Sequence, residues 1–505
     1  MPSAAYTKLR HQLLEIAHIN ACLALLQWDQ EILMPAKGVD PRSKLIGSLS
    51  VLTHDKWLAL NEKKALTGLS GWAKSHPTTK EACVIRETAR TYERERKLPV
   101  AFVQELSALS SKAQHIWAEA RAQSNFALFL PSLKRLVELK RKEAEYIGYK
   151  DSPYDALLDG FEPGLTSQQL SVTFSELRDF LKPFLRQLQS KTKDLPDKSL
   201  VHGTFPIEQQ TAFNRALIKE IGFDFEAGRL DTSTHPFTTN FHPHDVRITT
   251  RYSEQDALYA LGSTIHEMGH ALYEQGLSAK EYGTPLGEAL SLSIHESQSR
   301  FWENTIGKSR AFWQHFYPKL QKQFPKPFAR VPLETFYRII NRVEPSLIRT
   351  DSDEVSYNLH IILRYEIERG LIEGTLKAKD LPDIWNAKIK EYLDIKVPND
   401  RLGVLQDVHW SIGAIGYFPT YALGNLYAAQ FRQAAKRDLP TLEANLRTGS
   451  FSGLREWLRT NVHLHGKRYS ADTLVRRITG EPLQAKYFIQ YLQEKYADVY
   501  KLPKN

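Results

Sequence analysis

The sequence predicts a mostly α-helical protein with one small β-sheet, and three observations support this prediction. Apolar residues recur at three- and four-residue spacing along most of the 505-residue chain, as on the buried face of an amphipathic helix. The region from Phe223 to Tyr252 departs from that pattern and mixes turn residues with short β-type runs. There is no internal repeat, low-complexity tract or clean boundary, so residues 1–505 are interpreted as one domain.

The helical periodicity is clearest in several long stretches. Asp194 to Pro206 is interpreted as a loop rather than a linker, because amphipathic helices resume on both sides of it. In the irregular region, the run from Val246 to Thr250 predicts a strand, and an edge strand can align an extended peptide by main-chain hydrogen bonds. The predicted helices span Tyr6 to Gln27, Gln104 to Ala122, Leu133 to Ile147, Gln168 to Lys191, Gln209 to Ile221, Leu333 to Arg342 and Leu483 to Tyr500.

The composition indicates a soluble globular protein. Apolar residues make up 42% of the chain and charged residues 25%, which is typical of such proteins. The net charge of +9 comes from basic residues interspersed with acidic ones, without an aromatic-rich basic stripe. We therefore expect no nucleic-acid binding, and interpret the basic excess as a solvated surface or weak attraction of anionic peptide ends.

The sequence also predicts a cytoplasmic protein that does not enter a membrane. The longest apolar run, around Ala21 to Leu26, is far too short to span a bilayer. The N-terminus has no basic flank leading into an apolar stretch, so no secretory signal is expected. The two cysteines, Cys22 and Cys83, lack C-x-x-C spacing and exclude a disulfide framework, which fits a reducing compartment.

The stretch from His266 to His270 reads H-E-x-x-H within a strongly helical segment. Residues four apart lie on one face of a helix, so His266 and His270 can both offer an imidazole nitrogen to one metal ion. Glu267, the next residue, can then take a proton from the attacking water in a metal-assisted hydrolysis. The alternative is an amphipathic helix with two half-buried, hydrogen-bonded histidines, although one metal ion would satisfy both imidazoles.

The ends of this helix are marked in the sequence. Ser253 and Asp256 form an N-terminal capping pattern in which Asp replaces the usual Glu or Gln. Gly276 is expected to end the helix. A turn-rich break from Gly276 to Gly283 follows, and then a second apolar-periodic stretch from Leu286 to Phe301 predicts another helix.

The third metal ligand is expected from this second helix. A zinc peptidase uses three protein ligands and leaves the fourth position for water. Two helices joined by such a break can pack antiparallel, which would bring Glu296 towards the histidines. His295 and Gln298 lie on other faces and are expected to support the site or contact substrate. The alternative for Glu296 is a solvated carboxylate paired with Arg300 at i+4.

These motifs and others, in the same order along the chain, resemble those of the carboxypeptidase Taq family of zinc metallopeptidases. The similarity runs from about residue 6 to about residue 500. It departs from the family pattern at Ser352, where the family has alanine. The matching segments are H-E-M-G-H at His266 to His270, H-E-S-Q at His295 to Gln298, D-x-R-x-T at Asp245 to Thr249, I-R-x-x-A-D at Ile348 to Asp353, G-x-x-Q-D-x-H-W at Gly403 to Trp410, W-D…M-P from Trp28 to Pro35, Tyr154 to Asp159, and Thr479 to Leu483.

The resemblance implies a fold, a cofactor and an assembly. It implies one mostly helical body of two lobes around a deep substrate groove, with the metal-binding core at about residues 223–425. It also implies one zinc ion per chain, held by His266, His270 and Glu296, although cobalt or manganese suit the same ligands. Members of the family are usually homodimers, so a homodimer is expected.

The resemblance also implies catalytic roles. Glu267 is expected to act as the general base, taking a proton from the attacking water and passing it to the leaving amine. Tyr421 is expected to stabilise the oxyanion of the tetrahedral intermediate, with His409 as its helper. Without the resemblance, a tyrosine in this segment would more often be a core residue.

Arg349, in the I-R-x-x-A-D segment, is expected to bind the terminal carboxylate of the peptide substrate, because a guanidinium makes paired hydrogen bonds to a carboxylate. The alternative is a surface salt bridge from Arg349 to Asp351 or Asp353. Asp245 and Arg247 are expected to orient a wall of the site. Further substrate contacts are expected from His235, Tyr417 and Gln298.

The predicted function is a zinc-dependent carboxypeptidase that releases single C-terminal amino acids from peptides with broad specificity. A near alternative is an endo-acting or dipeptide-releasing metallopeptidase that uses the same metal centre. A different class of function is a non-catalytic peptide-binding scaffold, but the presence of Glu267 beside all three ligands argues against it. The sequence leaves open the preferred terminal side chain and the native metal.

Overall fold

The computed structural model describes residues 4–503, and helices dominate this part of the chain. The helices are α1 (Ala4–Ile32), α2 (Val39–Ala59), α3 (Ala65–Ser75), α4 (Lys80–Glu95), α5 (Val100–Gln123), α6 (Phe126–Ile147), α7 (Pro153–Leu158), α8 (Ser167–Ser190), α9 (Ile207–Ile221), α10 (Ala257–Gly276), α11 (Leu292–Arg300), α12 (Arg310–Gln323), α13 (Pro325–Phe328), α14 (Leu333–Ile340), α15 (Ser356–Glu373), α16 (Leu381–Leu393), α17 (Pro419–Asp438), α18 (Leu442–Thr448), α19 (Ser452–Asn461), α20 (Ala471–Thr479) and α21 (Ala485–Tyr500).

The sheet lies where the helical pattern of the sequence breaks. Its strands are β1 (Gly228–Thr232), β2 (Thr238–His242) and β3 (Asp245–Thr250), in the order β1-β3-β2. Strands β1 and β3 run parallel, and β2 runs antiparallel to β3. The central strand β3 is the most buried, because α10 packs against it, and β-branched side chains, which favour strands, fill most of its positions. The prediction of a mostly helical protein with a small sheet beside the metal-motif helix is confirmed.

Each predicted helix corresponds to an observed one. The largest difference is in α6, which begins at Phe126 rather than Leu133, because Asn125 caps it by accepting a hydrogen bond from the Ala127 amide. The segment from Asp194 to Pro206 contains no α-helix and is the predicted loop. The observed helices that match the seven predicted stretches are, in chain order, α1, α5, α6, α8, α9, α14 and α21.

Two predicted helix starts are wrong. Asp256, rather than Ser253, caps α10, and its carboxylate accepts hydrogen bonds from the amides of the second and third residues after it. The Ser253 hydroxyl instead binds the Gln255 amide in the preceding turn. The second helix, α11, begins at Leu292 rather than Leu286, because Pro285–Gly287 forms a separate 3-10 turn and Ser291 provides the cap.

The chain forms two compact units, each assembled from three segments. The first unit comprises Met1–Arg96, Asp197–Tyr337 and Tyr427–Leu483. The second unit comprises Lys97–Pro196, Arg338–Leu426 and Gln484–Asn505. The H-E-x-x-H motif belongs to the first unit, and the I-R-x-x-A-D and G-x-x-Q-D-x-H-W segments belong to the second. The interpretation of residues 1–505 as one peptidase domain stays a prediction.

In the first unit, α10 packs against the sheet, α9 and α11. Gly269 lies between the two motif histidines and permits a close approach of α11, because a Cβ atom there would lie only 2.6 Å from the Gln298 carbonyl oxygen and the Ser299 Cα. The absence of a side chain at this position therefore sets how near the carboxylate of Glu296 comes to the histidines.

In the second unit, α15 is the central element, and nearly all of its residues are buried. It packs against α8 and α16, while α5 and α6 support the irregular segment at residues 400–418. Gly416 in this segment adopts a positive φ of 96° and lies against the backbone of Leu157 and Leu158, where a side chain would collide. Among residues 4–503, no helix has the length and apolar content to cross a membrane.

Candidate active site

The two motif histidines and Glu296 converge in the first unit. The Nε2 atoms of His266 and His270 lie 3.6 and 3.3 Å from the Oε2 atom of Glu296. All three atoms lie within 4.8 Å of one another, and no other group of metal-ligating side chains in residues 4–503 shares this arrangement. Two imidazole nitrogens and one carboxylate oxygen are a common ligand set for catalytic zinc. The residues therefore fit a metal ion, as the i,i+4 spacing predicts.

Glu296 is held by protein groups on both of its oxygens. Its Oε1 accepts a hydrogen bond from Arg300 Nε at 2.6 Å, and its Oε2 accepts one from the Ser299 hydroxyl at 3.0 Å. Burial alone would raise the pKa of Glu296, but Arg300 and the two histidines hold that pKa well below its ordinary range. The ion pair with Arg300 thus coexists with the metal-binding arrangement and keeps the carboxylate charged.

The outer nitrogen of His266 faces a second carboxylate. His266 Nδ1 lies 2.8 Å from Glu303 Oε2, and Arg300 also contacts Glu303. Because a carboxylate only accepts, Nδ1 carries a proton, and Nε2 is the nitrogen that faces Glu296. Burial opposes a charge on His266, yet Glu296 and Glu303 raise its pKa, so the site favours a positive charge at this position.

His270 is held by a different relay. Its Nδ1 lies 2.5 Å from His295 Nδ1, and His295 Nε2 lies 2.6 Å from Glu274 Oε1. Burial and the neighbouring His295 lower the pKa of His270 to about 3, so its imidazole is neutral. A neutral imidazole is the form that binds metal ions.

Glu267 lies beside this cluster with its carboxylate almost fully buried, at 7% exposure. Its Oε2 accepts a hydrogen bond from the Thr238 hydroxyl in β2 at 2.6 Å. Burial raises the pKa of Glu267, although His266 and Thr238 oppose the rise. A carboxylate with a raised pKa transfers protons efficiently near neutral pH, which is what a general base requires.

In the second unit, Arg349 lies in a buried aromatic cluster and is only 6% exposed. Its Nε binds Asp407 Oδ1 at 3.1 Å, and its Nη1 donates to the Tyr357 hydroxyl at 3.1 Å. The guanidinium carbon lies 4.8 Å from the centre of the Tyr421 ring. The alternative expectation of a surface salt bridge to Asp351 or Asp353 is wrong, because the partner is the buried Asp407.

Asp407 binds two arginines at once. Arg364 is fully buried. Its Nη2 lies 2.6 Å from Asp407 Oδ2 and also donates to Gln406 Oε1, and its Nη1 donates to the His360 carbonyl. Among residues 4–503, no acceptor lies within hydrogen-bond distance of Arg349 Nη2. Two guanidinium groups therefore share one hydrogen-bonded carboxylate, and Arg349 keeps donor capacity. Such a cluster favours an additional anion.

His409 and Tyr421 are neighbours in the same unit. His409 Nε2 lies 3.1 Å from the Tyr421 hydroxyl, and its ring lies 4.4 Å from Phe418 and 5.4 Å from Tyr417, between centroids. Burial lowers the pKa of His409 to about 4, with Asp407 opposing the shift. His409 is therefore neutral, and its Nε2 shares a hydrogen bond with the Tyr421 hydroxyl.

Glu368 anchors the segment that carries His409. Its fully buried carboxylate accepts hydrogen bonds from the Tyr154 hydroxyl at 2.9 Å, Trp410 Nε1 at 2.9 Å and the Gly416 amide at 3.0 Å. Burial raises the pKa of Glu368 to about 7 despite these donors. Glu368 thus joins the Tyr154 motif to the Q-D-x-H-W motif.

Comparison with known proteins identifies the family. The model of the carboxypeptidase Taq (M32) metallopeptidases matches residues 8–496. The chain belongs to this family. It is 42% identical to thermostable carboxypeptidase 1 of Thermus thermophilus, with 99% of each chain covered. It is 41% identical to carboxypeptidase 1 of Bacillus subtilis, covering 96% of this chain and 97% of the relative.

Solved structures agree with this membership of the M32 family. The M32 carboxypeptidase from Deinococcus radiodurans R1 superposes with a TM-score of 0.94 at 38% identity, covering 99% of this chain and 100% of the other. A Pyrococcus furiosus carboxypeptidase gives a TM-score of 0.93 at 36% identity, covering 98% and 99% of the two chains. The protein is therefore an M32 metallopeptidase, and its relatives are named carboxypeptidases.

Two expected substrate contacts of this M32 chain lie in contrasting places. Gln298 is fully buried, and its amide binds the Ser297 hydroxyl and His463, so its contacts are all with protein groups. This placement favours a supporting role over a substrate contact. His235 is exposed in the turn before β2, where its carbonyl accepts a hydrogen bond from the Ser233 hydroxyl. The substrate roles of both residues stay predictions.

Asp245 and Arg247, from the D-x-R-x-T motif, form a bidentate ion pair on β3, with both nitrogen-to-oxygen distances at 2.9 Å. The Arg247 guanidinium also lies between the rings of Trp28 and Phe241, at 4.4 and 4.7 Å from their centres. The motif containing Trp28 and the D-x-R-x-T motif thus meet at the sheet. Ser352, the departure from the family pattern, makes only a local hydrogen bond to the Ile348 carbonyl.

Several residues of the site carried no sequence prediction. Glu274 lies four residues after His270 on α10, and Glu303 lies seven after Glu296, so helical spacing offered a signal for both. Asp407 belongs to the G-x-x-Q-D-x-H-W motif, but the sequence assigned no role to it. Thr238 and Glu368 had no signal, because their contacts join residues 29 and more than 40 positions apart.

Proposed function

We propose that this M32 protein is a zinc-dependent carboxypeptidase that releases single C-terminal amino acids with broad specificity. The observation that carries the proposal is the convergence of His266, His270 and Glu296 beside the buried carboxylate of Glu267. This arrangement holds a metal ion and a proton acceptor on adjacent positions of one rigid helix. The relatives are named carboxypeptidases, which supports cleavage at the C-terminal end of the peptide.

His266, His270 and Glu296 would hold the metal ion. When bound, the ion supplies Lewis acidity, which lowers the pKa of a water molecule and polarises the scissile carbonyl. The protein's own contribution is to bind Nδ1 of each imidazole, through Glu303 on one side and His295 on the other, which leaves each Nε2 to face the metal ion. We propose zinc, one ion per chain, because this ligand set and its negative surroundings suit it; cobalt or manganese are expected substitutes.

Glu267 would act as the general base. Its carboxylate takes a proton from the attacking water and passes it to the leaving amine, so that the proton count of the side chain is restored after each turnover. Thr238 fixes one carboxylate oxygen, which leaves the other available to the water. The raised pKa of Glu267 brings its proton affinity closer to that needed at neutral pH.

Tyr421 would donate a hydrogen bond to the oxyanion, with His409 as the group that orients its hydroxyl. The 3.1 Å contact between them and the lowered pKa of His409 support this role, because a neutral His409 can donate to the tyrosine oxygen. Tyr417 lies 5.3 Å from Tyr421 between ring centres and is proposed as a substrate contact, together with His235. Gln298 is the weakest member of this set, since its amide is already bound by protein groups.

Arg349 would bind the terminal carboxylate of the substrate. Asp407 and Tyr357 bind two of its nitrogens and fix the plane of the guanidinium, and Nη2 keeps its donors. The charge shared between Arg349 and Arg364 exceeds that of Asp407, which favours an anionic ligand. A terminal carboxylate is common to all peptides, so recognition through it supports broad specificity.

Metal removal and product analysis test this proposal together. A chelator should abolish the trimming of a free-acid peptide, and Zn²⁺ or Co²⁺ should restore it, while circular dichroism shows the helices intact. Mass spectrometry should show loss of one C-terminal residue at a time. Loss of dipeptides or internal cleavage would support the endo-acting or dipeptide-releasing alternative. Peptide binding with no trimming, in protein shown to contain metal, would support the non-catalytic scaffold.

We also propose that the protein is a homodimer, associated through α2. This 21-residue helix has no buried residue, and it exposes Val39, Leu45, Val51, Leu52 and Leu58. Light scattering should give a dimer mass for the wild type and a monomer mass for the double variant Leu45→Glu, Leu52→Glu.

A cytoplasmic location is also proposed, because Cys22 and Cys83 are both free thiols. Cell fractionation tests the location.

A further inference from the structure

Two side chains of strand β2, which lie outside the metal motif, form hydrogen bonds with carboxylates of α10. The Thr238 hydroxyl lies 2.6 Å from Glu267 Oε2 and 3.0 Å from the Glu267 carbonyl oxygen. Two residues further along, Asn240 Nδ2 donates to Glu274 Oε2 at 2.6 Å. Residues two apart in a strand point to the same face, so one face of β2 holds two carboxylates of the metal helix.

The contact of Asn240 reaches the metal ligand through a defined relay. Asn240 holds Oε2 of Glu274, and Oε1 of Glu274 accepts from His295 Nε2 at 2.6 Å. Because His295 Nε2 donates to Glu274, its Nδ1 can act as the acceptor for the Nδ1 proton of His270. This tautomer leaves the Nε2 lone pair of His270 directed at the carboxylate of Glu296.

The same two residues of β2 present their main chain to the open edge of the sheet. Strand β2 is an outer strand in the order β1-β3-β2. The Phe237 carbonyl accepts from the Thr249 amide at 2.9 Å, and the Phe237 amide donates to the Thr249 hydroxyl at 2.9 Å, so the main-chain groups of Phe237 point towards β3. The direction of the main-chain groups alternates along an antiparallel ladder, so those of Thr238 point away from β3, and so does the amide of Asn240, the last residue before a bulge that ends at His242.

We propose that β2 is a positioning strand for the reaction: Thr238 aims the carboxylate of Glu267, and Asn240 aims His270 through Glu274 and His295. An extended peptide paired with the open edge of β2 would then lie in register with both groups, because the strand that binds it also orients them. The inference deepens the proposed function and rests on it for the role of Glu267. The relay to His270 concerns metal binding alone.

Thr238→Val tests the first half, because it removes the hydroxyl and keeps the shape. A hydrogen bond to a carboxylate is lost, so kcat should fall about ten- to a hundredfold while KM and metal content stay near those of the wild type. Thr238→Ser should restore most of kcat. Thr239→Val is the matched control: the same substitution one residue away, on the opposite face, should leave kcat unchanged.

Asn240→Ala tests the second half without any measurement of turnover. The Zn²⁺ dissociation rate, measured in excess chelator, should rise about tenfold or more relative to the wild type and Thr239→Val, since partners of ligating histidines contribute this much to affinity. The proposal is overturned if Thr238→Val matches Thr239→Val in kcat, if Thr238→Ser falls as far as Thr238→Val, or if Asn240→Ala releases Zn²⁺ at the wild-type rate. Failure of the proposed function would appear instead as an inactive, metal-loaded wild type.

Discussion

The two buried charge clusters of this protein carry opposite imbalances. Around the histidines, Arg300 pairs with both Glu296 and Glu303, so one guanidinium faces two carboxylates. Around Arg349 the ratio is reversed, because Asp407 is the one carboxylate that binds both Arg349 and Arg364. Buried charges are costly unless they are matched by partners. The first cluster is therefore suited to a cation and the second to an anion.

The clusters also differ in how the sequence encodes them. The first depends on one helix and its neighbour, with ligands at i and i+4. The second draws on three separated stretches, around Arg349, Arg364 and Asp407. One histidine in each cluster is neutral, since burial lowers the pKa of His270 to about 3 and that of His409 to about 4. The formal charges of carboxylates and guanidinium groups thus decide which ligand each cluster accepts.

The largest expected effect is on the proton acceptor beside the first cluster. Glu267→Gln keeps the shape of the side chain but cannot accept a proton at neutral pH, so kcat should fall at least about a thousandfold. Metal content, measured by atomic absorption, should stay near one ion per chain. Residual activity above a few per cent of wild type would remove Glu267 from the role of base.

The next largest effect is expected on the affinity of the first cluster for its metal ion. Glu296→Ala removes one ligand, and metal affinity measured by chelator competition should fall about a hundredfold or more, beyond the cost of losing an outer partner. Glu303→Gln keeps all three ligands and should produce a smaller loss, about ten- to a hundredfold. Equal affinities for Glu296→Ala and the wild type would require a different third ligand.

The second cluster should respond through substrate binding rather than metal binding. Arg349→Ala should lower kcat/KM for free-acid peptides about 30- to 1000-fold, because a shielded, charge-assisted hydrogen-bond pair is lost. Arg349→Lys should restore only part of this loss, since an ammonium lacks the planar fork. Arg401→Ala, at an exposed arginine of the same unit, is the control and should behave like the wild type. Unchanged kinetics for Arg349→Ala would assign the carboxylate handle elsewhere.

The smallest expected effect concerns Glu368, which holds the segment that carries His409, and it appears as a pH dependence of the free energy of unfolding. The pKa of Glu368 is raised from 4.5 to about 7, so the folded state favours its protonated form. This stabilisation is complete below the unfolded-state pKa and is lost as pH rises through about 7. Relative to Glu368→Gln, the wild type should therefore lose a few kcal/mol of stability between pH 5 and pH 8, at about 1.4 kcal/mol per pKa unit.

Thermal unfolding of both proteins at several pH values measures this difference. Glu391→Gln, at a side chain with 55% exposure, is the control and should follow the wild type at every pH. A constant difference in Tm between the wild type and Glu368→Gln from pH 5 to pH 8 would contradict the raised pKa.

Features that depend on local periodicity were predictable from the sequence. The helices follow from apolar spacing, and the pairing of His266 with His270 follows from helix geometry alone. The start of α10 was misjudged, because both Ser253 and Asp256 are good caps and only the tertiary turn decides between them. The start of α11 was misjudged because Pro285–Gly287 forms its own turn.

Contacts between distant residues were not predictable in the same way. The pairing of Arg349 with Asp407 joins residues 58 positions apart, and nearer aspartates offered an equally plausible partner in the sequence. Thr238 and Asn240 are ordinary strand residues until the fold sets them against α10. The metal motif showed that a site exists, but the residues that orient its ligands are fixed by packing across the first unit.

The most direct test of the account compares one peptide as a free acid and as its C-terminal amide, in the wild type and in Arg349→Ala. The account predicts that the wild type trims the free acid at least about a hundredfold faster than the amide, because only the free acid offers an anion to Arg349. Arg349→Ala should lose most of this preference. Equal rates for acid and amide in the wild type, or an unchanged preference in Arg349→Ala, would contradict the assignment of the anion-accepting cluster to the peptide terminus.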